Sequence, residues 1–125
     1  MRKRAGALCI RNGSLLLIRE NDQGFYWTPG GGLEGTESFE QALERELSEE
    51  LNSKIISAKP YMTILDKDAN EEVRYFLVTI DLPTKLPDNT IVMWYSKSNY
   101  NANTPQISRR IYAKVYPKLL RENLV

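Results

Sequence analysis

The part of this sequence best suited to chemistry is a run of glycines followed by a group of charged side chains. Three consecutive glycines, Gly30, Gly31 and Gly32, precede a segment rich in glutamate. Its central charged residues are Arg45, Glu46, Glu49 and Glu50. Glycine lets a backbone approach a phosphate closely, and grouped carboxylates provide the oxygen ligands that hard divalent cations prefer. The segment therefore predicts a site for a divalent metal ion and a phosphate-bearing ligand.

The positions of these carboxylates on a helical wheel argue against a purely solvated role. At about 100° per residue, the apolar residues share one arc: Phe39, Ala42, Leu43, Leu47 and Leu51. Glu46 and Glu50 fall within that arc, and Glu49 lies at its edge. Carboxylates one turn apart on a core-facing arc repel each other and lose hydration unless cations neutralise them. The wheel thus favours a metal site over the surface role that is usual for a glutamate-rich helix.

The residue types available as ligands point to a hard ion. The chain has no histidine and a single cysteine, so we expect oxygen ligands around Mg²⁺ or Mn²⁺. Arg45 adds a cation to the same helix, and two roles are open to it. It can pair with Glu49 at i,i+4 on the surface, or fold back to orient a carboxylate. We favour the orienting role.

The composition of the chain limits the class of protein. A length of 125 residues favours one domain, which we predict to span residues 1–125. The formal net charge of +1 gives no sign of binding to a nucleic-acid polymer or an anionic membrane. Without histidine the chain cannot form a Ser-His-Asp triad or a histidine-ligated zinc or haem site. Cys9, in an apolar run, is expected to be a buried strand residue in preference to a reactive thiol.

The amino terminus is basic, with Arg2, Lys3 and Arg4 ahead of a short apolar run. That run is too short for the hydrophobic region of a signal peptide, and no stretch of the sequence is long enough to cross a membrane. We therefore expect a cytoplasmic location. The basic start is interpreted as a solvated terminus in preference to a phosphate-steering patch.

The strands that would position the site are predicted from apolar runs and turn residues. Runs at 5–11 and 14–19 flank Asn12-Gly13, a pair of residues typical of a β-hairpin turn. Further strands are predicted at residues 25–28, 54–65, 72–80 and 90–95. Because two of these strands are joined by the polar residues 66–71, we expect a turn there.

Two helices are predicted among these strands. The first spans residues 38–51, with Ser38 and Gln41 at the spacing of a capping box. The second spans 107–123, and Pro117 is expected to kink or split it. The predicted segments without regular structure are residues 20–24, 30–36, 81–89 and 98–105. This mixture predicts a layered α/β domain.

The charged positions also resemble the signature of the Nudix hydrolase family, and in particular its MutT-like members. That signature is Gly, five residues, Glu, seven residues, then Arg-Glu-aliphatic-any-Glu-Glu-any-Gly-aliphatic. Gly31, Glu37 and residues 45–50 fill every charged position at the required spacing. Two departures are Asn52-Ser53 in place of the final Gly-aliphatic pair, and Thr36 where the family often has glycine. Because asparagine tolerates the left-handed conformation, we expect the helix to end normally at Asn52.

The resemblance implies a fold, an activity and a set of site residues. The fold is a Nudix α/β/α sandwich with a mixed β-sheet between helices, and the activity is hydrolysis of a nucleoside diphosphate linked to another group. The implied metal ligands are Glu46, Glu49, Glu50 and the backbone carbonyl of Gly30. Glu37 and Arg45 would join the loop to the helix. The family often uses one more acid from a later loop; the candidates are Asp68, Glu71, Glu72 and Asp88, with Asp88 preferred.

The resulting hypothesis is attack of a water molecule on one phosphorus of a small nucleotide-type substrate. Glu46, Glu49 and Arg45 are assigned to catalysis, whereas Gly31 and Gly32 let the backbone meet the phosphates. The substrate is a nucleoside triphosphate or a nucleotide sugar. The alternative is a module of the same fold that binds a nucleotide without hydrolysing it. Small members of the family often dimerise, so a homodimer is possible.

Residues that would recognise the rest of the substrate are less clearly indicated. Arg11 and Arg19 could meet phosphates or a base edge, or remain solvated. The aromatic residues that could stack on a base, or equally belong to the core or the sheet surface, are Phe25, Trp27, Trp94 and Tyr95. Tyr112 and Tyr116 are expected to pack, and the amides of residues 99–103 could bind a base or simply reflect a loop. From these, Arg19 and Trp27 are assigned to the substrate.

Overall fold

The computed structural model describes residues 1–20, 24–82 and 85–125. In order, their elements are β1 (Arg2–Leu8), β2 (Ile10–Arg11), β3 (Ser14–Glu20), β4 (Gly30–Gly32), α1 (Phe39–Leu51), β5 (Lys54–Asp66), β6 (Glu71–Asp81), β7 (Thr90–Tyr95), α2 (Lys97–Ala102), a π-helical turn (Ile111–Val115) and α3 (Tyr116–Arg121). They form two compact units. The first unit contains Met1–Cys9 and Pro29–Asp88, and the second contains Ile10–Thr28 and Asn89–Val125.

The first unit is a mixed sheet with α1 packed against it. Its strand order is β4-β1-β6-β5, and β1 runs parallel to β6 while the other neighbours are antiparallel. Helix α1 contacts β1, β4 and β5. The predicted apolar arc is its buried face: Phe39, Ala42, Leu43, Leu47 and Leu51. These contacts hold the carboxylate-bearing side of α1 beside the glycine strand.

Helix α1 begins and ends as its sequence predicts. The Ser38 side chain accepts a hydrogen bond from the Gln41 backbone N–H, and the Gln41 side chain accepts one from the Ser38 backbone N–H. At the other end Asn52 is left-handed, with φ of 51°. The departure of Asn52 from the family's glycine therefore leaves the helix end intact. Ser53 is buried, and its hydroxyl donates to the Leu51 carbonyl.

The prediction that the glycine run lacks regular structure is wrong for Gly30–Gly32, which form β4. These residues pair antiparallel with β1, and Gly30 lies opposite Gly6. Gly30 has φ of +139°, and a Cβ atom added there would lie 2.1 Å from the Ala5 carbonyl oxygen. Glycine is thus required by the close approach of two backbones, a constraint that local sequence does not reveal.

The second unit contains the antiparallel sheet β2-β3-β7. Asn12 and Gly13, with φ of 50° and 78°, form the predicted hairpin turn between β2 and β3. The single strand predicted at 5–11 is wrong, because β1 and β2 belong to different sheets and are separated by Cys9. Cys9 itself is buried and forms no disulfide, as expected.

Other predicted elements are confirmed, shortened or replaced. The predicted strand at 25–28 is reduced to isolated bridges from Tyr26 to Ile107 and from Trp27 to Ile18. The loop predicted at 98–105 is wrong, since α2 covers its first half. Of the loop predicted at 20–24, residues 21–23 lie outside the described ranges, as do residues 83–84 of the loop predicted at 81–89. Helical structure continues from residue 109 to 121, so Pro117 does not split the terminal helix, although a π-helical turn lies directly before α3.

Within the ranges that the structure describes, no helix combines the length and the apolar character needed to span a bilayer.

Candidate active site

Arg45 joins the carboxylate helix to the loop that follows β4. Its Nε and Nη2 donate to the two Glu37 carboxylate oxygens at 2.8 and 3.0 Å, and Nη2 also donates to the Gly32 carbonyl at 3.0 Å. The remaining Nη1 donates to Glu46 at 3.0 Å and lies 3.4 Å from Glu49. Both roles considered for Arg45 therefore occur together, and the orienting contacts are the shorter ones.

Glu37 closes this loop as well as binding Arg45. Its carboxylate accepts the Glu34 backbone N–H at 2.8 Å, while its own N–H donates to the Glu34 carbonyl. Hydrogen bonds from Arg45, and then from the Glu34 backbone, lower the pKa of Glu37. The same pairing with Glu37 raises the pKa of Arg45. The signature Glu and Arg are thus held in their charged forms as a bidentate pair.

Glu46 lies against the glycine strand. A Cβ atom added at Gly31 would stand 2.5 Å from its Oε1 and 2.6 Å from its Cδ. Only 16% of the Glu46 side chain is exposed, and burial raises the pKa of its carboxyl despite the hydrogen bond from Arg45. A desolvated carboxylate of this kind gains from a cation, because a positive charge offsets its lost hydration.

The other two signature glutamates face different partners. The Gly30 backbone N–H donates to Glu50 Oε1 at 2.7 Å, whereas the Glu49 side chain is 58% exposed. No three acidic, histidine or cysteine side chains converge as a metal-binding group within residues 1–20, 24–82 and 85–125. The donors nonetheless consist of carboxylates along one helix and the adjoining backbone of β4. This all-oxygen set fits Mg²⁺ or Mn²⁺ better than a softer ion.

The structure separates the four candidates for an additional acid. Asp88 lines a cavity of about 360 Å³ together with Ser48 of α1 and Asn52, which caps the end of that helix. Glu71 lies 3.7 Å from an Arg2 nitrogen, and the Glu72 carboxylate accepts from Arg74 at 2.8 Å. The fourth candidate, in the exposed turn between β5 and β6, is Asp68. The preferred candidate, Asp88, therefore lies near the carboxyl end of α1, in a cavity whose lining does not include Glu46, Glu49 or Glu50, and its role stays a prediction.

A second cavity contains two of the basic residues of the amino terminus. This cavity of about 640 Å³ is lined by Arg2 and Lys3 together with Gly32, Glu37 and Glu46. Arg2 and Lys3 are both exposed, as expected for the solvated terminus predicted from the sequence. The β1–β6 register, which a single sequence does not provide, places Arg2 opposite Glu71 at the end of the sheet.

The candidate substrate residues of the second unit divide into exposed and buried groups. Phe25 and Trp27 are 48% and 47% exposed, whereas Tyr95 is fully buried. The Arg19 guanidinium lies 4.8 Å from the Tyr26 ring centroid, and that of Arg11 lies above Trp94. A role for Tyr95 in base stacking is therefore wrong, while Phe25 and Trp27 present aromatic surface to solvent.

The tyrosines of the terminal segment form a packed cluster in this unit. Tyr116 meets Tyr95 edge-to-face at 5.3 Å, and Tyr100 stacks on both Tyr112 and Tyr116. The prediction that Tyr112 and Tyr116 pack is confirmed. Asn99, considered as a base-binding amide, caps α2 and donates to the Thr104 carbonyl.

Comparisons with known proteins agree with this geometry. Residues 1–114 match the family described as NUDIX domain. An 8-oxo-dGTP diphosphatase of Proteus vulgaris is 33% identical over 85 residues, which cover 60% of this chain and 72% of that relative. The solution structure of the E. coli ORF135 protein matches with TM-score 0.75 and 21% identity over 98% of this chain and 92% of the other. A MutT NUDIX hydrolase from Burkholderia pseudomallei matches with TM-score 0.69 and 23% identity over 86% and 90%. The predicted fold, an α/β/α sandwich with a mixed sheet, is confirmed.

Proposed function

This chain belongs to the NUDIX family, and we propose that it hydrolyses a nucleoside triphosphate to a nucleoside monophosphate and pyrophosphate. It is a MutT-like hydrolase that acts on phosphorus-containing acid anhydrides. The observation that carries the proposal is the Arg45 network, which fixes the carboxylate helix against the glycine strand through Glu37 and Glu46. The triphosphate is supported by the 8-oxo-dGTP diphosphatase named above.

Nudix hydrolases generally use divalent metal ions, and we propose Mg²⁺ or Mn²⁺ here. The residues that would hold the ion are Glu46, Glu49, Glu50 and the Gly30 carbonyl. Such an ion, when bound, neutralises phosphate oxygens and lowers the pKa of a water molecule. Support comes from the raised pKa of the Glu46 carboxyl, since a buried carboxylate is stabilised by a nearby cation.

The chain's own groups have separate tasks in this reaction. The water oxygen bonds to the α- or the β-phosphorus, the bond from that phosphorus to the oxygen that bridges the two breaks, and the nucleoside monophosphate and pyrophosphate separate. Glu49 is proposed to accept the water proton because its carboxylate is the most exposed of the three signature glutamates. Asp88 is the second candidate for that step. Gly31 and Gly32 offer a backbone without side chains to the phosphates.

Arg19 and Trp27 remain the proposed contacts to the rest of the substrate. The half-exposed Trp27 ring supports base stacking, which every nucleobase permits through its π-face. The single domain over residues 1–125, the cytoplasmic location and the homodimer stay predictions.

The proposal is tested with a panel of nucleoside triphosphates and nucleotide sugars, each with Mg²⁺ or Mn²⁺, scored for released phosphate and pyrophosphate. We expect pyrophosphate from at least one triphosphate. Glu49→Gln should lower turnover by roughly 10²- to 10⁴-fold without loss of folding. The control is Glu44→Gln, which removes the same charge from an exposed position of α1. Nucleotide binding without any turnover would instead identify a binding module.

A further inference from the structure

We propose that Arg2 and Lys3 bind the terminal phosphate groups of the substrate, which become the leaving pyrophosphate. The two residues would thereby select a triphosphate over a nucleotide sugar, which has no terminal phosphate. This inference rests on the proposed hydrolysis of a nucleoside triphosphate.

The first step of the argument is the larger cavity of the first unit. Arg2 and Lys3 line it on the side of β1, and Glu46 lines it on the side of α1. Its volume of about 640 Å³ lies within the range of small-molecule sites, roughly 300–1,000 Å³. The cavity therefore places a signature carboxylate and two cations around one space.

Arg2 is held in position but remains accessible. Its guanidinium lies 3.7 Å from Glu71, whose side chain is only 12% exposed, while the Arg2 side chain is 65% exposed. The backbone N–H of Arg2 also donates to the Asn70 carbonyl at 2.9 Å. The guanidinium thus makes one contact within the protein, to Glu71, and its exposed N–H groups can donate to a phosphate.

Gly32 leaves the space in front of Arg2 open. A Cβ atom added at Gly32 would lie 3.9 Å from Arg2 Nε and 3.7 Å from the Lys3 carbonyl oxygen. The Arg2 guanidinium thus approaches β4 at the point where any residue other than glycine at position 32 would have its side chain. Lys3 lies next to it on β1, and its carbonyl accepts the Leu33 N–H. The Arg2 side chain and the Lys3 backbone therefore adjoin the strand that is proposed to meet the phosphates, and Lys3 lines the same cavity.

The charge balance of the cavity explains the need for these cations. Glu34, Glu37 and Glu46 line it, and they repel the oxygens of a polyphosphate. Arg45 already donates to Glu37, Glu46 and the Gly32 carbonyl, so its donors are engaged. Among the described lining residues, the cationic side chains are those of Arg2 and Lys3. Their positive charges can neutralise the oxygens of the terminal phosphate groups.

The experiment measures binding of inorganic pyrophosphate and of a nucleoside monophosphate by calorimetry in the presence of Mg²⁺. The proteins compared are the wild type, the double variant Arg2→Gln/Lys3→Gln and the control Lys59→Gln/Lys67→Gln. The control removes the same charge from exposed positions of the first unit that do not line the cavity. We expect the first double variant to weaken pyrophosphate binding by roughly 10-fold or more, with monophosphate binding unchanged. Arg2→Lys/Lys3→Arg, which keeps both charges, should bind within a few-fold of the wild type.

Two results would overturn the inference. One is equal pyrophosphate affinity in the Arg2/Lys3 double variant and the control. The other is equal weakening of pyrophosphate and monophosphate binding, which would indicate a general electrostatic effect. If the wild type hydrolyses no nucleotide, the proposed function fails, and the binding comparison still decides the role of Arg2 and Lys3.

Discussion

Gly31→Ala is expected to disable the site while leaving the fold intact. The added Cβ atom would lie 2.5 Å from Glu46 Oε1. To reach the 3.4 Å at which ordinary contact begins, that oxygen must move by roughly 0.9 Å. Such a shift disturbs the 3.0 Å hydrogen bond from Arg45. Because displacements near 1 Å can reduce rates by about 10²-fold, we expect kcat to fall by roughly that factor.

The stability of the same variant should change little. The atoms that the new methyl meets belong to the end of a side chain, and Gly31 does not have a positive φ. We therefore expect the free energy of unfolding to change by less than about 1.5 kcal/mol. The assay combines pyrophosphate release at saturating triphosphate and Mg²⁺ with urea unfolding of the same preparation.

A second substitution separates a steric effect from general damage. Glu46→Asp shortens the side chain that meets the new methyl group. The double variant Gly31→Ala/Glu46→Asp should therefore lose less activity than the product of the two single losses. Normal kcat in folded Gly31→Ala would refute the reasoning, because the position of the Glu46 carboxylate would then not matter. A double variant that loses the full product would exclude the steric coupling.

The remaining predictions concern stability. Gly30→Ala should lower the free energy of unfolding by at least about 2 kcal/mol, since its Cβ atom meets the Ala5 backbone; calorimetric melting close to the wild type would contradict this. Ser38→Ala should cost about 1 kcal/mol in urea unfolding, because Ser38 forms the capping box of α1 with Gln41, and kcat of the folded protein should not change. Tyr95→Phe should be neutral or stabilising by up to about 1 kcal/mol, since the Tyr95 hydroxyl is buried without a partner among the described residues; a clear loss would show a missed hydrogen bond. Burial raises the pKa of Tyr95 from 10 to about 12, so its hydroxyl stays neutral in the folded chain while the unfolded chain ionises. The contribution of Tyr95 to the free energy of unfolding should thus be fully present below pH 10 and decrease between pH 10 and 12. Unfolding curves at pH 9 and 11 should therefore differ less for Tyr95→Phe than for the wild type.

Features set by neighbouring residues could be predicted from the sequence, and α1 is the main example. Its apolar spacing and the pair Ser38 and Gln41 are local signals, and the structure has the helix within one residue of the predicted range. The α2 cap is equally local, with Ser96 and Asn99 as a capping box. The sequence signature of a capping box has Glu or Gln at that position, so Asn99 does not match it.

Features that depend on distant backbone could not be predicted in the same way. Gly30–Gly32 become a strand because β1 supplies partners from 24 to 28 residues away. The division of one apolar run at Cys9 depends on which sheet each half joins. The placement of Arg2 beside Gly32 is likewise tertiary: Glu71, opposite Arg2 on β6, contacts its guanidinium, and Asn70 accepts its backbone N–H. The signature predicts the carboxylates and the arginine of the site, whereas the position of Arg2 relative to them depends on the fold.

The division of the second unit between two separate stretches of chain has a consequence for synthesis on the ribosome. Strand β3 is made early, but its partner β7 follows much later: Glu20 pairs with Thr90, 70 residues further along. Until then, Leu15, Leu16 and Leu17, all fully buried in the finished protein, lack one neighbour in the sheet. An unpaired apolar strand edge readily pairs with other chains. The nascent protein therefore exposes this apolar strand edge from the time β3 is made until residues 90–95 emerge, and aggregation is favoured throughout that interval.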